Sequence, residues 1–266
     1  MTCSTVSDRS AGVRSAAVAA AAVCLVFFAG AAVAQSSRDT MKRQETRLLE
    51  TSLVEYAILQ AGETIGTESV TRRLFSNNTV AFSATIEMTP APGVVWKTEV
   101  DLLLEEDSHF PRRYEMSKVT NHQERRIEQW AALEMVSNVA VVQTKINDSI
   151  ETRNIVLPAG TPVFESGILC LVHQLLFWYD RGTGGRQRFA VFDPMRGKNS
   201  DYVMLLTGAE TVDVMGAPTE VEVFQLEQGA VTAKYFVDSQ GALVGADLGY
   251  LSYALSQTST VPGQEE

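Results

Sequence analysis

Apolar and polar residues alternate with a period of two along much of the chain. Val80, Phe82, Ala84, Ile86 and Met88 are separated by Thr79, Ala81, Ser83, Thr85 and Glu87. In the next segment Val94, Trp96, Val100, Leu102 and Leu104 share one face, opposite Lys97, Glu99, Asp101 and Glu105. Val231, Ala233, Tyr235 and Val237 repeat the pattern near the end. Successive side chains of a strand point to opposite faces, so these segments read as strands with one buried face and one wet face.

Turn residues punctuate the pattern. Ala61-Gly62-Glu63, Ser76-Asn77-Asn78, Pro90-Ala91-Pro92-Gly93, Glu227-Gln228-Gly229 and Ser239-Gln240-Gly241 all lie between apolar-periodic segments. Less regular strands are expected at 112–120, 123–132, 139–145, 188–192 and 202–213. No helical segments separate them, as a parallel sheet would require, so the sheet is expected to be antiparallel.

One segment differs. Thr161 can cap a helix, with Pro162 at its first position. From Ile168 to Tyr179 the chain is apolar except for His173 and Gln174. Asp180-Arg181-Gly182 follows, with Gly182 as a left-handed stop. The expectation is a helix near 162–180, too short to cross a bilayer and buried on nearly every side.

Size connects these elements. Strands sit about 4.8 Å apart, so a dozen laid flat span roughly 55 Å. A helix is only about 10 Å wide. The economical solution is a large curved antiparallel sheet, a barrel or half-barrel, wrapped around the one apolar helix. A sandwich of two sheets with the helix at one end is the competing arrangement.

The chain ends carry a different signal. Arg9 and Arg14 precede an apolar or small-residue stretch over 16–34 that closes on Ala32-Val33-Ala34. This reads as a secretory signal peptide at 1–34 cleaved before Gln35, which implies export to the periplasm or beyond. Residues 35–49 read as a polar tether, 50–256 as a single β domain, and 257–266 as a disordered tail. Of 22 basic and 32 acidic side chains the leader removes two and one, which leaves a net charge of −11. That balance argues against nucleic acid and against charge-driven binding to anionic lipid surfaces. Cys3 and Cys24 leave with the leader. Cys170 then stands alone, no intramolecular disulfide can form, and its place in the helix reads as a buried, inert thiol.

Candidate chemistry is sparse. His109, His122 and His173 form no metal-ligand spacing, and no cofactor motif is present, so neither metal nor cofactor is expected. His173 reads as a buried histidine bonded to a backbone carbonyl. Ser166-Gly167 lacks the first glycine of a nucleophile elbow, and Gly182-Thr183-Gly184-Gly185 follows a helix instead of opening one. A catalytic role is therefore not expected.

Three stretches carry a resemblance: Tyr56-Ala57-Ile58-Leu59-Gln60-Ala61-Gly62-Glu63-Thr64-Ile65-Gly66, Leu157-Pro158-Ala159-Gly160-Thr161-Pro162, and the segment from Tyr235 to Val244. Their layout over about 53–250 resembles uncharacterised secreted bacterial β-sheet proteins. Those are similar in organisation to the periplasmic lipoprotein carriers, half-barrels that hold acyl chains. The curled sheet, with more apolar face than one helix can cover, points to a non-catalytic envelope protein that carries a lipid or other apolar or amphiphilic small molecule, with no membrane span after cleavage. The candidate cavity lining is Phe82, Ile86, Trp96, Leu102, Leu169, Leu176 and Tyr235. The alternative is a protein–protein interaction module in envelope assembly, with an envelope protein as partner at an open sheet edge. A hydrolase and an outer-membrane barrel are less consistent with these features.

Overall fold

The computed structural model describes residues 46–263, apart from 123, 124, 137, 138 and 159. The leader, its cleavage point and the tether up to residue 45 lie outside the described residues. The elements in chain order are β1 (Leu48–Gln60), β2 (Glu63–Phe75), β3 (Thr79–Ala91), β4 (Val94–Glu105), β5 (Pro111–His122), β6 (Arg125–Val136), β7 (Val139–Ile146) and β8 (Ser149–Val156). Then come the helix α1 (Leu169–Trp178), β9 (Arg186–Asp193), β10 (Lys198–Val214), β11 (Ala217–Gln228), β12 (Val231–Asp238), β13 (Leu243–Asp247) and β14 (Ser252–Pro262).

All fourteen strands form one sheet in the order β8-β7-β6-β5-β4-β3-β2-β1-β14-β13-β12-β11-β10-β9. Every neighbouring pair is antiparallel. The first and last strands of the chain, β1 and β14, pair in the middle. The sheet is not closed, because its terminal strands β8 and β9 do not pair.

A flat sheet of this size would span roughly 60 Å. Instead its inward side chains share one core around α1. That core joins Tyr56 of β1, Phe82 of β3 and Leu133 of β6 to Phe192 of β9, Phe224 of β11 and Tyr235 of β12. The sheet is therefore curved, as the excess of apolar strand face requires. Its two free ends meet at one corner, where a Cβ on Gly197 would lie 2.9 Å from Nη1 of Arg153 on β8.

Between β8 and β9 the chain turns inward. The Phe192 N–H donates to Pro162 O at 2.8 Å, and the Phe164 N–H donates to Phe192 O at 3.0 Å. This short parallel stretch covers part of the free edge of β9 and steers the chain into the interior as α1.

Three expectations are corrected. The helix spans Leu169–Trp178, and not 162–180, because 161–168 is committed elsewhere. Thr161 Oγ1 donates to Pro158 O and caps nothing, while Pro162 serves β9. Tyr179 and not Gly182 ends the helix, by taking an extended backbone. Finally, residues 48–49 open β1 and 257–262 are the second half of β14, so tether and tail both enter the sheet. Their register explains it: Glu50 faces Pro262, Ser52 faces Thr260 and Val54 faces Thr258.

Parts of strands β10–β14 bury apolar side chains on both faces. Val221, Val223 and Val244 form a second small core with Val212, Val214, Phe236 and Leu255, on the side away from α1. At this end the sheet folds over itself.

Candidate functional site

Strand register builds the interior in layers. On the inner face Tyr56, Glu68, Ile86, Thr98 and Lys118 stand side by side across β1–β5. Two residues along each strand, the next layer is Val54, Val70, Ala84, Val100 and Met116; beyond it come Ser52, Arg72, Phe82, Leu102 and Tyr114. Four residues of strand rise roughly 13 Å. Eight residues of helix rise about 12 Å. One end of α1 therefore lies at the level of Glu68 and the other at the level of Arg72.

At the Glu68 level the interior is packed. Glu68 is fully buried, and its Oε1 accepts the Leu169 N–H at 2.9 Å and the Cys170 N–H at 3.4 Å. A carboxyl from 101 residues earlier in the chain thus satisfies the start of α1. Its Oε2 has no partner. Burial pushes the Glu68 pKa up to about 8, against the lowering effect of the two amides. The group is thus mostly neutral at pH 7. Around it, the Tyr253 hydroxyl donates to Gly167 O at 3.1 Å and the Tyr56 hydroxyl donates to Leu243 O at 2.8 Å. Further along α1, the Gln174 side chain exchanges two hydrogen bonds with the backbone of Val163. Cys170 is buried, as expected, and burial raises its thiol pKa.

At the Arg72 level there is a cavity of about 930 Å³. His173, Leu176 and Phe177 of α1 face it with helical spacing. Opposite them stand Val54, Val70, Phe82 and Leu243, with Thr258 and Thr260 from β14. The histidines are held by aromatic stacking. His173 lies on Phe82, ring centres 5.2 Å apart and planes at 20°. His109 lies on Phe177 at 3.7 Å and 12°. The loop carrying His109 is pinned over the helix end, because Trp178 Nε1 donates to Ser108 O at 2.7 Å. His109 itself takes a left-handed backbone (φ 53°), and its Nδ1 is buried with no partner. Burial, then the charge of Arg72, lowers the His109 pKa, opposed by the Glu106 carbonyl. Burial, then Arg72 and His109, pushes the His173 pKa down to about 4. No backbone carbonyl among the described residues accepts from the His173 ring, which corrects that expectation.

Of the expected lining residues, Phe82 and Leu176 border this cavity. Ile86 and Trp96 border a separate cleft of about 130 Å³ at the other end of the sheet, beside Lys118 and Glu165. There Lys118 Nζ sits 4.9 Å from the Trp96 ring centre. Glu165 accepts from the Tyr114 hydroxyl at 2.8 Å, and burial pushes its pKa up to about 7. Leu102, Leu169 and Tyr235 are each 1% exposed and belong to the packed core.

Sequence reasoning overlooked Glu68 and Arg72 and gave His109 no role. The first two carried a usable signal: they share the parity of the apolar positions Val70 and Leu74, so they point inward. His109 carried none, since a loop contact with Phe177 leaves no periodic trace.

The fold has a solved counterpart. It is similar to the crystal structure of a beta-barrel-like protein of domain of unknown function DUF1849 from Brucella abortus, with a TM-score of 0.54 and 10% sequence identity. The match covers 80% of this chain and 98% of that one. Identity this low shows the fold alone. No family model and no curated protein sequence matches the chain.

Among the described residues no helix is long and apolar enough to cross a membrane, and no three His, Cys, Asp or Glu side chains gather to hold a metal ion.

Proposed function

We propose that this is a non-catalytic, exported protein of the cell envelope that binds or carries an apolar or amphiphilic ligand such as a lipid. One observation carries the reading: the interior of the curved sheet is hollow at one end. The hollow measures about 930 Å³, opens to solvent, and has an amphiphilic wall: Val54, Val70, Phe82, Leu176 and Leu243 on one hand, Arg72, His109, His173 and Thr260 on the other. Drug-sized and lipid-sized ligands occupy concave, largely apolar sites of about this volume. The resemblance of the sequence layout to half-barrels that carry lipoproteins supports the same reading. Here a single helix fills only part of the interior.

Native mass spectrometry of protein purified without detergent tests the reading. The expected spectrum contains a bound species of lipid mass that organic solvent removes, and the stripped protein takes up a fluorescent fatty acid saturably. A ligand-free spectrum together with no uptake would overturn it.

A second reading, a module that recruits a partner strand in envelope assembly, rests on β8. This terminal strand leaves Ile150 and Val156 67% and 70% exposed. An unpaired edge of this kind is a template for strand addition. If it operates, Ile150→Lys abolishes partner capture from envelope extracts and leaves fatty acid uptake intact. Capture that survives the substitution rejects this use of β8.

A further inference from the structure

The cavity beside α1 departs from the rest of the molecule in its charge. The whole chain carries ten more acidic than basic residues. The cavity gathers Arg72, Arg181, His109 and His173 against one acid, Glu50. The four groups come from separate parts of the chain: β2, the β4–β5 loop, α1 and the segment after α1. Their convergence follows from the fold and not from a local basic run.

Each arginine already has a half-exposed partner. Arg72 Nη1 meets Glu50 Oε1 at 3.0 Å, and Arg181 Nε meets Glu222 Oε2 at 3.2 Å. Such exposed pairs contribute little stability and exchange partners readily. Arg72 is a planar fork with five N–H donors, of which this pair occupies one. The histidines have no acidic neighbour. The charges that act on His173 are those of Arg72 and His109, both repulsive to an imidazolium. The His109 ring borders the cavity and closes over Phe177.

The geometry points to an anionic headgroup on the cavity's ligand, a carboxylate or a phosphate monoester held by Arg72, His109 and His173, with its apolar chain along Phe82, Val70 and Leu176. This rests on the reading of the cavity as a ligand site and adds the ligand's charge. An anion placed among these groups favours the protonated histidines, so binding takes up protons. Affinity for an anionic amphiphile should therefore rise as pH falls towards the depressed pKa values of the free histidines, about 4 for His173. Glu50 and Tyr56 on β1, Arg72 on β2, His109 in the β4–β5 loop, His173 on α1 and Arg181 just after it are the charged or titratable groups facing the site; burial raises the Tyr56 pKa and keeps it neutral.

Equilibrium titration with two fluorescent probes of one chain, cis-parinaric acid and its methyl ester, tests the charge. The acid is expected to bind at least about ten-fold more tightly than the ester. The preference should fall towards one in Arg72→Gln, remain in Arg72→Lys, and lose its pH dependence in the double substitution His109→Gln/His173→Gln. Circular dichroism confirms that each variant is folded. A lysophosphatidate competitor distinguishes the sources: if it displaces the acid better than oleate does, the headgroup is a phosphate. Equal affinity for acid and ester overturns the inference but leaves the cavity reading standing. So does a preference that Arg72→Gln does not alter. If neither probe binds, the cavity reading itself falls.

Discussion

The two halves of α1 have equally apolar sequences but different surroundings. Leu169, Cys170 and Leu171 are sealed in the core, and the amides of the first two end on the carboxyl of Glu68. One to two turns later His173, Leu176 and Phe177 border open space, and Phe177 is 49% exposed. Both halves face the same strands, β1, β2 and β3, four residues apart along each. Inward-pointing side chains make the difference. In the Glu68 layer Tyr56 and Ile86 are large and buried. In the Arg72 layer Ser52 is short and Arg72 turns to Glu50. The arrangement shows how one curved sheet can be solid at one level and hollow at the next without a break in strand pairing.

That contrast can be broken from either side. The largest effect belongs to the packed half. Leu171→Ala should lower stability by about 2–5 kcal/mol, read from the midpoint of urea unfolding, because nothing nearby can collapse into the space. Glu68→Gln comes next and is conditional on pH. The folded-state pKa of Glu68 is raised, so its stability contribution is full below the unfolded value near 4.5 and is lost as pH rises through about 8. The amide removes that loss. Glu68→Gln should melt at the same temperature as the parent near pH 5 and roughly 5–10 °C higher near pH 9. A parent protein as stable at pH 9 as at pH 5 would mean the carboxyl is not sealed.

His173→Gln should produce a smaller effect of opposite sign. The folded pKa of His173 is depressed to about 4, so its contribution is present above the unfolded value near 6.5 and is lost as pH falls through about 4. The variant should keep more of its stability than the parent between pH 6 and pH 4, by a few degrees in thermal melts. Phe177→Ala should cost least, below about 1 kcal/mol, since half of its surface already meets solvent. A cost equal to that of Leu171→Ala would show that both ends of the helix are equally packed.

How far the sequence revealed this arrangement depended on which physical effect governed each element. Strands β2, β3 and β4 were legible because each buries one face, so Val80, Phe82, Ala84 and Ile86 alternate with polar residues. Strand β8 was not, because Ser149 to Ile155 are exposed or nearly so on both faces and only backbone pairing to β7 makes the segment a strand. The second half of β14 escaped for a related reason. Its Thr258 and Thr260 face the cavity and not a packed core, so they left no apolar alternation. The helix was legible in its apolar run but not in its start. Thr161 and Pro162 form a sound local signal that lost to a distant partner, the Glu68 carboxyl. At the site, Phe82 and Leu176 were legible from periodicity, whereas the basic groups that meet them come together only through strand register and a loop.

The two cores of the second half of the sheet qualify the simple picture of one wet face. Val221 and Val223 point away from α1 yet are buried, because strands β10–β14 fold over each other. In β13 period-two alternation therefore no longer separates inside from outside, and Leu243 to Ala246 are all buried.

The most direct test of the hollow half is to fill it. Ser52 borders the cavity from β1, opposite the helix, and takes no part in the packed layer around Glu68. In Ser52→Trp, a folded protein with the parent's thermal midpoint should lose saturable uptake of cis-parinaric acid. Undiminished uptake by that variant would contradict the account, because the ligand would then be bound somewhere other than beside α1.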